Sequence, residues 1–287
     1  MLLNLERYHR PKTLAQALAL LKNAQGRVIV PIAGGTRLVA SQRRDVQEVV
    51  DISRLRLNYI RLTDHGLVIG AMTTLQTLVE AHSLRQSPYH IIAQAAQATT
   101  VSKMLRNVAS LGGDLVTLSP YSCLATALLA LDAVLHVATD TDQGTVLPLA
   151  QYFMAGTDRR LPLGIVTEIR VPRHAADTRA TFCKLSQIPS SPALINVAAL
   201  LALSDGVCQT ARLAIGAAEP VPIRLTLMEA LLEGRSLNTA VIDSVLEKAV
   251  EHLQPFSDTH AGADYRKTVA PVLARRALLA CMSNDSK

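Results

Sequence analysis

The sequence predicts an α+β protein of three consecutive units, two α/β units followed by one in which antiparallel strands give way to helices. Three observations carry this expectation. A capped helical repeat stands beside β-branched runs near the N-terminus, two short glycine doublets lie between apolar stretches, and a hairpin signal, Asp205-Gly206, separates two long apolar runs. With 287 residues and 49% hydrophobic content, the chain can bury a sizeable core. The changes of pattern place the units at residues 1–60, 61–173 and 174–287.

In the first unit, Thr13 followed by Gln16 is a capping-box pattern, and Leu14, Ala17, Leu18 and Leu21 recur at helical spacing until Gly26. A helix from about Thr13 to Asn23 is expected. Val28, Ile29, Val30 and Ile32 then form a β-branched run leading into the first doublet, Ala33-Gly34-Gly35-Thr36, and Val49-Val50-Asp51-Ile52 reads as the next strand. This makes a small β-α-β module.

In the second unit, Leu67-Val68-Ile69 is strand-like, Thr74 caps a short helix through Leu78, and the alanine-rich run from Ile91 to Ala98 is helical. The second doublet, Ser110-Leu111-Gly112-Gly113-Asp114, is entered from a helix. Leu124 to Leu131 is apolar on nearly every side and reads as a buried helix, Val134 to Val137 reads as a strand, and the unit continues to Pro172. The third unit begins near Arg173. Thr181 to Leu185, Asn196 to Leu203 and Val207 to Ile215 form a three-stranded antiparallel sheet, with Asp205-Gly206 as its two-residue turn. Helical spacing follows at Leu225, Met228, Leu231 and Leu232, then at Val241, Val245, Ala249 and Leu253, giving a bundle of helices.

Several function classes are excluded by composition. The net charge of +6 is dispersed, with only doublets such as Arg43-Arg44, Arg159-Arg160 and Arg275-Arg276, so no nucleic-acid footprint is present. A positive field can attract an anionic cofactor without specifying it. Cys123, Cys183, Cys208 and Cys281 stand far apart with no C-x-x-C pair, so neither zinc nor an iron–sulfur cluster is expected on this chain. None of the eight histidines sits in a metal or nucleophile–base pattern, and no G-x-S-x-G, H-E-x-x-H or G-x-x-x-x-G-K-[ST] occurs. Uninterrupted apolar stretches of about 18 residues are absent, and Glu6, Arg7 and Arg10 come too early for a secretory leader. A cytoplasmic protein without membrane insertion is expected.

The glycine doublets carry the chemistry. Glycine lets a phosphate approach the main chain closely, and successive N–H groups in a turn make a concave anion site without a catalytic side chain. Two such turns can hold one pyrophosphate.

VPIAGGTRL (Val30 to Leu38) and LRNVASLGGDLVTLSP (Leu105 to Pro120) together resemble the FAD-binding medium subunit of the molybdenum hydroxylases, the xanthine dehydrogenase and carbon monoxide dehydrogenase type. The resemblance extends in order through YHRPKTLAQALALL (Tyr8 to Leu21), LVIGAMTTLQTL (Leu67 to Leu78), ALLALDAVL (Ala127 to Leu135), IVTEIRVP (Ile165 to Pro172), IGAAEPVPIR (Ile215 to Arg224) and AGADYRKTVAPVLARRAL (Ala261 to Leu278), nearly the whole chain. It implies a two-part PCMH/vanillyl-alcohol-oxidase-like FAD-binding α/β domain followed by a C-terminal domain. It further implies FAD on this chain, with the molybdenum cofactor on a molybdopterin-binding large subunit and [2Fe–2S] clusters on a small subunit. Electrons would leave FAD for NAD⁺, oxygen or another acceptor.

By the same resemblance, FAD contacts fall at Ala33, Gly34, Gly35, Thr36, Arg37 and Leu38, and at Asn107, Ala109, Ser110, Gly112, Gly113, Asp114 and Ser119. Val166 would offer backbone contacts to the isoalloxazine, and Lys184 would approach the flavin from the C-terminal domain. Three positions depart from the family pattern: Arg37 replaces an acidic or amide residue, Asp114 an asparagine, and Cys123 an aspartate. Arg37 either pairs with the diphosphate or points to solvent. Asp114 is either offset by Arg37 or accepts backbone or ribityl hydrogen bonds, and Lys184 is otherwise an exposed strand lysine. The departures keep two alternatives open, a structural subunit that has lost FAD and a stand-alone flavin oxidoreductase.

Overall fold

The structure, a computed structural model, describes residues 2–139, 144–157 and 164–283; the Arg159-Arg160 doublet lies outside them. Three sheets organise the chain. In the first, β1 (Arg7–His9) and β2 (Ile29–Ile32) flank β3 (Glu48–Asp51), all parallel, and α1 (Leu14–Lys22) makes the crossover. The Thr13 hydroxyl accepts from Gln16 N–H at 3.3 Å, and the Gln16 side chain accepts from Lys12 N–H at 2.9 Å, so the cap predicted from sequence forms. Such a cap stabilises by about 1 kcal/mol. Ala17 and Leu21 bury the inward face of the helix.

The second sheet has five antiparallel strands in the order β4 (Ile60–Thr63), β5 (Gly66–Gly70), β8 (Ile165–Pro172), β6 (Val134–Ala138), β7 (Thr145–Pro148). Between β5 and β6 run α2 (Leu75–Glu80), α3 (His90–Thr99), α4 (Lys103–Arg106), α5 (Leu111–Leu115) and α6 (Cys123–Ala130), and α7 (Leu149–Thr157) follows β7. The second glycine doublet, expected as a loop, is the first turn of α5. Ser110 caps it by accepting from Gly113 N–H at 3.2 Å, which overrides the poor helix propensity of two glycines.

The third sheet is β12 (Ile223–Arg224), β11 (Val207–Gly216), β10 (Ile195–Ser204), β9 (Arg179–Leu185), so the expected three antiparallel strands are joined by a two-residue fourth. Asp205 and Gly206 have φ of 51° and 78°, the paired left-handed conformation of a hairpin turn that follows the strand twist. The helices α8 (Thr226–Leu232), α9 (Thr239–Val250) and α10 (Ala263–Met282) cover one face of this sheet.

Strand β10 is apolar almost without interruption because both of its faces are covered. Ile195, Val197, Ala199 and Leu201 pack against α8, α9 and α10, whereas Ala198 and Leu200 join the core that contains α6 and the five-stranded sheet. The C-terminal sheet therefore shares a core with the second unit, and it closes one side of the cavity described next.

Candidate functional site

A cavity of about 750 Å³ opens between the β2–β3 connection, the α3–α6 region and the C-terminal sheet, within the roughly 300–1,000 Å³ typical of cofactor sites. Its walls include Ala33, Gly34, Gly35, Thr36, Arg37 and Leu38 from the first doublet, and Ala109, Ser110, Gly113 and Asp114 from the second. Cys123, Lys184, Tyr121, Ala98 to Thr100, and the loop residues Ser190, Pro192 and Ala193 also line it.

The first doublet is a built turn. A Cβ on Gly34 would stand 1.9 Å from the Val108 carbonyl oxygen, so glycine here lets the two doublet segments touch main chain to main chain. Gly35 has room for a Cβ, but its φ of +70° is left-handed and disfavours one. Among the described residues, the N–H groups of Gly34, Gly35, Thr36, Arg37 and Leu38 donate to no acceptor in the chain. Five such donors lie in one turn at the wall of the cavity, an arrangement with the geometry of a concave anion site.

The second doublet is occupied differently. Leu111 N–H donates to Thr73 O at 2.9 Å, Gly112 N–H to Ala71 O at 2.8 Å and Gly113 N–H to the Ser110 hydroxyl. These three donors, expected at the diphosphate, instead hold α5 against the 71–75 segment and cap it; in the second doublet Ser110 N–H, at the cavity wall, is the donor with no acceptor among the described residues. Gly112 is buried, with a would-be Cβ 2.8 Å from that of Ala71, and it does not line the cavity. Asn107, Ser119 and Val166 also lie off the cavity wall. Asn107 is an exposed helix cap, Ser119 accepts from Ser122 N–H in a turn, and Val166 is buried in the β8 core.

Two of the departures from the family pattern meet. Arg37 Nη2 lies 3.9 Å from Asp114 Oδ1, with the guanidinium half exposed and the carboxylate buried. Ser122 donates to the other Asp114 oxygen. Burial pushes the Asp114 carboxyl above the usual range, with Ser122 and the Arg37 charge opposing. At its exposure, the ion pair contributes about 1 kcal/mol or less. Cys123 is buried, and burial pushes its thiol up to about 12, so it stays a neutral thiol near pH 7.

Lys184 is engaged by the main chain: its ammonium donates to Ala98 O and Ser191 O at 2.9 Å and to Pro189 O at 3.3 Å. It staples the end of α3 to the 189–193 loop, joining two walls of the cavity. Tyr121 is among the wall residues that sequence reasoning passed over; nothing in SPYSC marks it, because its partners lie far along the chain. Among the described residues, no three His, Cys, Asp or Glu side chains converge to hold a metal ion, and no helix is long and apolar enough to cross a membrane.

The donor set fits a dinucleotide: N–H groups for a diphosphate, a guanidinium beside them, and a cavity of cofactor size bounded by the β2–β3 connection, the α3–α6 region and the C-terminal unit. Comparison with known proteins agrees. The family described as FAD binding domain in molybdopterin dehydrogenase matches residues 3–174, and the CO dehydrogenase flavoprotein C-terminal domain matches residues 180–281. The nicotinate dehydrogenase FAD-subunit of Eubacterium barkeri is 31% identical over 252 residues, 83% of each chain. The carbon monoxide dehydrogenase medium chain of Hydrogenophaga pseudoflava is 26% identical over 277 residues, 94% of this chain and 95% of its own. A solved structure of carbon monoxide dehydrogenase from that organism, lacking the Mo-pyranopterin moiety, superposes with a TM-score of 0.89 at 26% identity, covering 97% of both chains.

Proposed function

The chain belongs to the FAD-binding medium subunits of the molybdenum hydroxylases, and from that premise we propose that it holds FAD in the cavity at Gly34–Leu38 as the flavoprotein of an oxidoreductase complex. The observation that carries this reading is the row of free N–H groups from Gly34 to Leu38, opening onto a cavity of cofactor size. When bound, FAD supplies the electron exchange by which such a subunit links the [2Fe–2S] clusters of a small subunit and a molybdopterin-binding large subunit to NAD⁺, oxygen or another acceptor.

The residues of this chain bind and orient. The Gly34–Leu38 turn presents its donors to the diphosphate, and Arg37 adds a charge-assisted contact at the rim while offsetting Asp114. Ser110, committed to capping α5, fixes the opposite wall, and Lys184 keeps that wall closed against the C-terminal unit. Cys123, as a buried neutral thiol, contributes shape rather than redox chemistry. We further propose a xanthine dehydrogenase-like or carbon monoxide dehydrogenase-like complex in the cytoplasm, with the chain dividing near residues 60 and 173. The order of the sheets supports those divisions: the strands of the parallel sheet all precede residue 60, and those of the last sheet all follow residue 173.

Isolation of the native complex tests the division of labour. Addition of the complex's own substrate under anaerobic conditions is expected to bleach the flavin absorption, while the separated chain, carrying the same oxidised flavin, shows no bleaching and no substrate hydroxylation. Substrate oxidation by the separated chain would instead mark a stand-alone flavin oxidoreductase. A complex that turns over with no flavin on this chain would mark a structural subunit.

A further inference from the structure

We propose that Tyr121 is the wall against which the flavin ring is positioned, and that Asp258, from the C-terminal unit, holds it there. This rests on the reading of the cavity as an FAD site. Tyr121 is the one aromatic side chain among the described residues that line the cavity, and a flat conjugated ring gains more from an aromatic neighbour than from the small aliphatic and polar groups around it.

The placement of Tyr121 is over-determined from behind. Its hydroxyl donates to Asp258 Oδ2 at 2.5 Å. Phe256 and His260 pack on its ring at centroid distances of 6.2 and 5.7 Å, with interplanar angles of 66° and 89°. Asp258 is itself fixed: Oδ1 accepts from His260 N–H at 2.7 Å and Ala261 N–H at 2.9 Å, and Oδ2 accepts from Arg266 Nη2 at 2.7 Å. The Arg266 guanidinium lies 4.6 Å from the Phe256 ring centroid. One residue before Tyr121, Pro120 O accepts from Ala217 N–H at 2.7 Å. The side-chain contacts with Asp258, Phe256 and His260 all come from beyond residue 216, although the ring faces a cavity built largely by residues before 124. The C-terminal unit thereby sets the position of the wall.

The groups around the pair keep Asp258 ionised and Tyr121 neutral near neutrality. Burial raises the Asp258 carboxyl, but Tyr121, the two N–H groups and Arg266 outweigh it and hold the group well below the carboxylate range. The Tyr121 phenol is pushed up to about 12 by burial and by Asp258. Tyr121 is a positioning residue and exchanges no proton near neutrality.

The test uses the full chain with whatever partner subunits co-purify, titrated with FAD and separately with ADP, which lacks the flavin ring. Tyr121→Leu is expected to weaken FAD binding about tenfold while leaving ADP binding and far-ultraviolet circular dichroism unchanged. Tyr121→Phe and Asp258→Asn are expected to retain FAD but shift the visible circular dichroism and reduction potential of the bound flavin in the same direction. Equal weakening of FAD and ADP, or wild-type affinity and dichroism in Tyr121→Leu, would overturn the proposal alone. Failure of the wild-type chain to bind FAD at all would overturn the cofactor reading with it.

Discussion

Gly34→Val is expected to abolish FAD retention while Gly262→Ser leaves it intact. At Gly34 the first added carbon would lie 1.9 Å from the Val108 carbonyl oxygen and 2.7 Å from its carbon, both main-chain atoms that cannot rotate away. The two segments must separate, and separation displaces the Gly34–Leu38 donors from the cavity wall. Overpacking of this kind costs about 1–3 kcal/mol in stability, occasionally more, so the variant should remain folded but flavin-free. Gly35→Ala has room for its methyl and meets only the left-handed penalty, about 1–2 kcal/mol, so a smaller loss of affinity follows. Nothing lies within 4 Å of a Cβ on Gly262, and serine is a favourable helix cap. Flavin content after gel filtration, with thermal unfolding beside it, ranks the variants; equal retention by Gly34→Val and the wild type would refute the close-approach account.

Arg266→Met is expected to cost about 3–5 kcal/mol of stability, because it removes one side of an ion pair whose arginine is fully buried and leaves two buried carbonyls unpaired. Arg266 has no exposed surface, yet it serves Leu194 O, Ala217 O and Asp258 at once. Methionine fills much of the volume but leaves the buried carbonyls of Leu194 and Ala217 without this donor and Asp258 without its cation. For a chain of this size the loss corresponds to a fall of roughly 6–20 °C in Tm. Arg266→Lys should fall between, since one ammonium keeps the charge but not the fork geometry. A change below about 1 kcal/mol in chemical unfolding would mean that Arg266 is bystander packing.

Local signals were legible wherever a short stretch determines its own shape. Thr13 with Gln16 announces α1, Asp205-Gly206 announces the hairpin, and the unbroken apolar run at Leu124–Leu131 announces a buried helix. The strands β4, β7 and β12 carry two to four residues each and lie at sheet edges, where pairing with a neighbour rather than an alternating pattern creates the strand. The second doublet misleads for a related reason: glycines suggest a loop, but docking on Ala71 and the Ser110 cap make a helical turn.

The candidate site divides in the same way. Ala33–Leu38 is readable because contiguous glycines and a following hydroxyl form one turn, and the structure adds that Leu111, Gly112 and Gly113 of the second doublet spend their N–H groups inside the protein. Gly34 looks equivalent to Gly35 in sequence; the contact with Val108, 74 residues on by number, separates their roles. Tyr121 and Asp258 stand 137 positions apart, and no spacing rule links them. Lys184 was anticipated at the flavin, but its three carbonyl partners come from two other segments and are set by tertiary packing alone.

The central claim, that this chain carries FAD in the cavity at Gly34–Leu38, is tested most directly by measuring flavin released on acid denaturation of the purified wild-type chain after incubation with FAD and removal of the excess. The structure predicts close to one FAD per chain, identified as the dinucleotide by chromatography. A chain that releases none, and that leaves the fluorescence of added FAD unchanged, would contradict it.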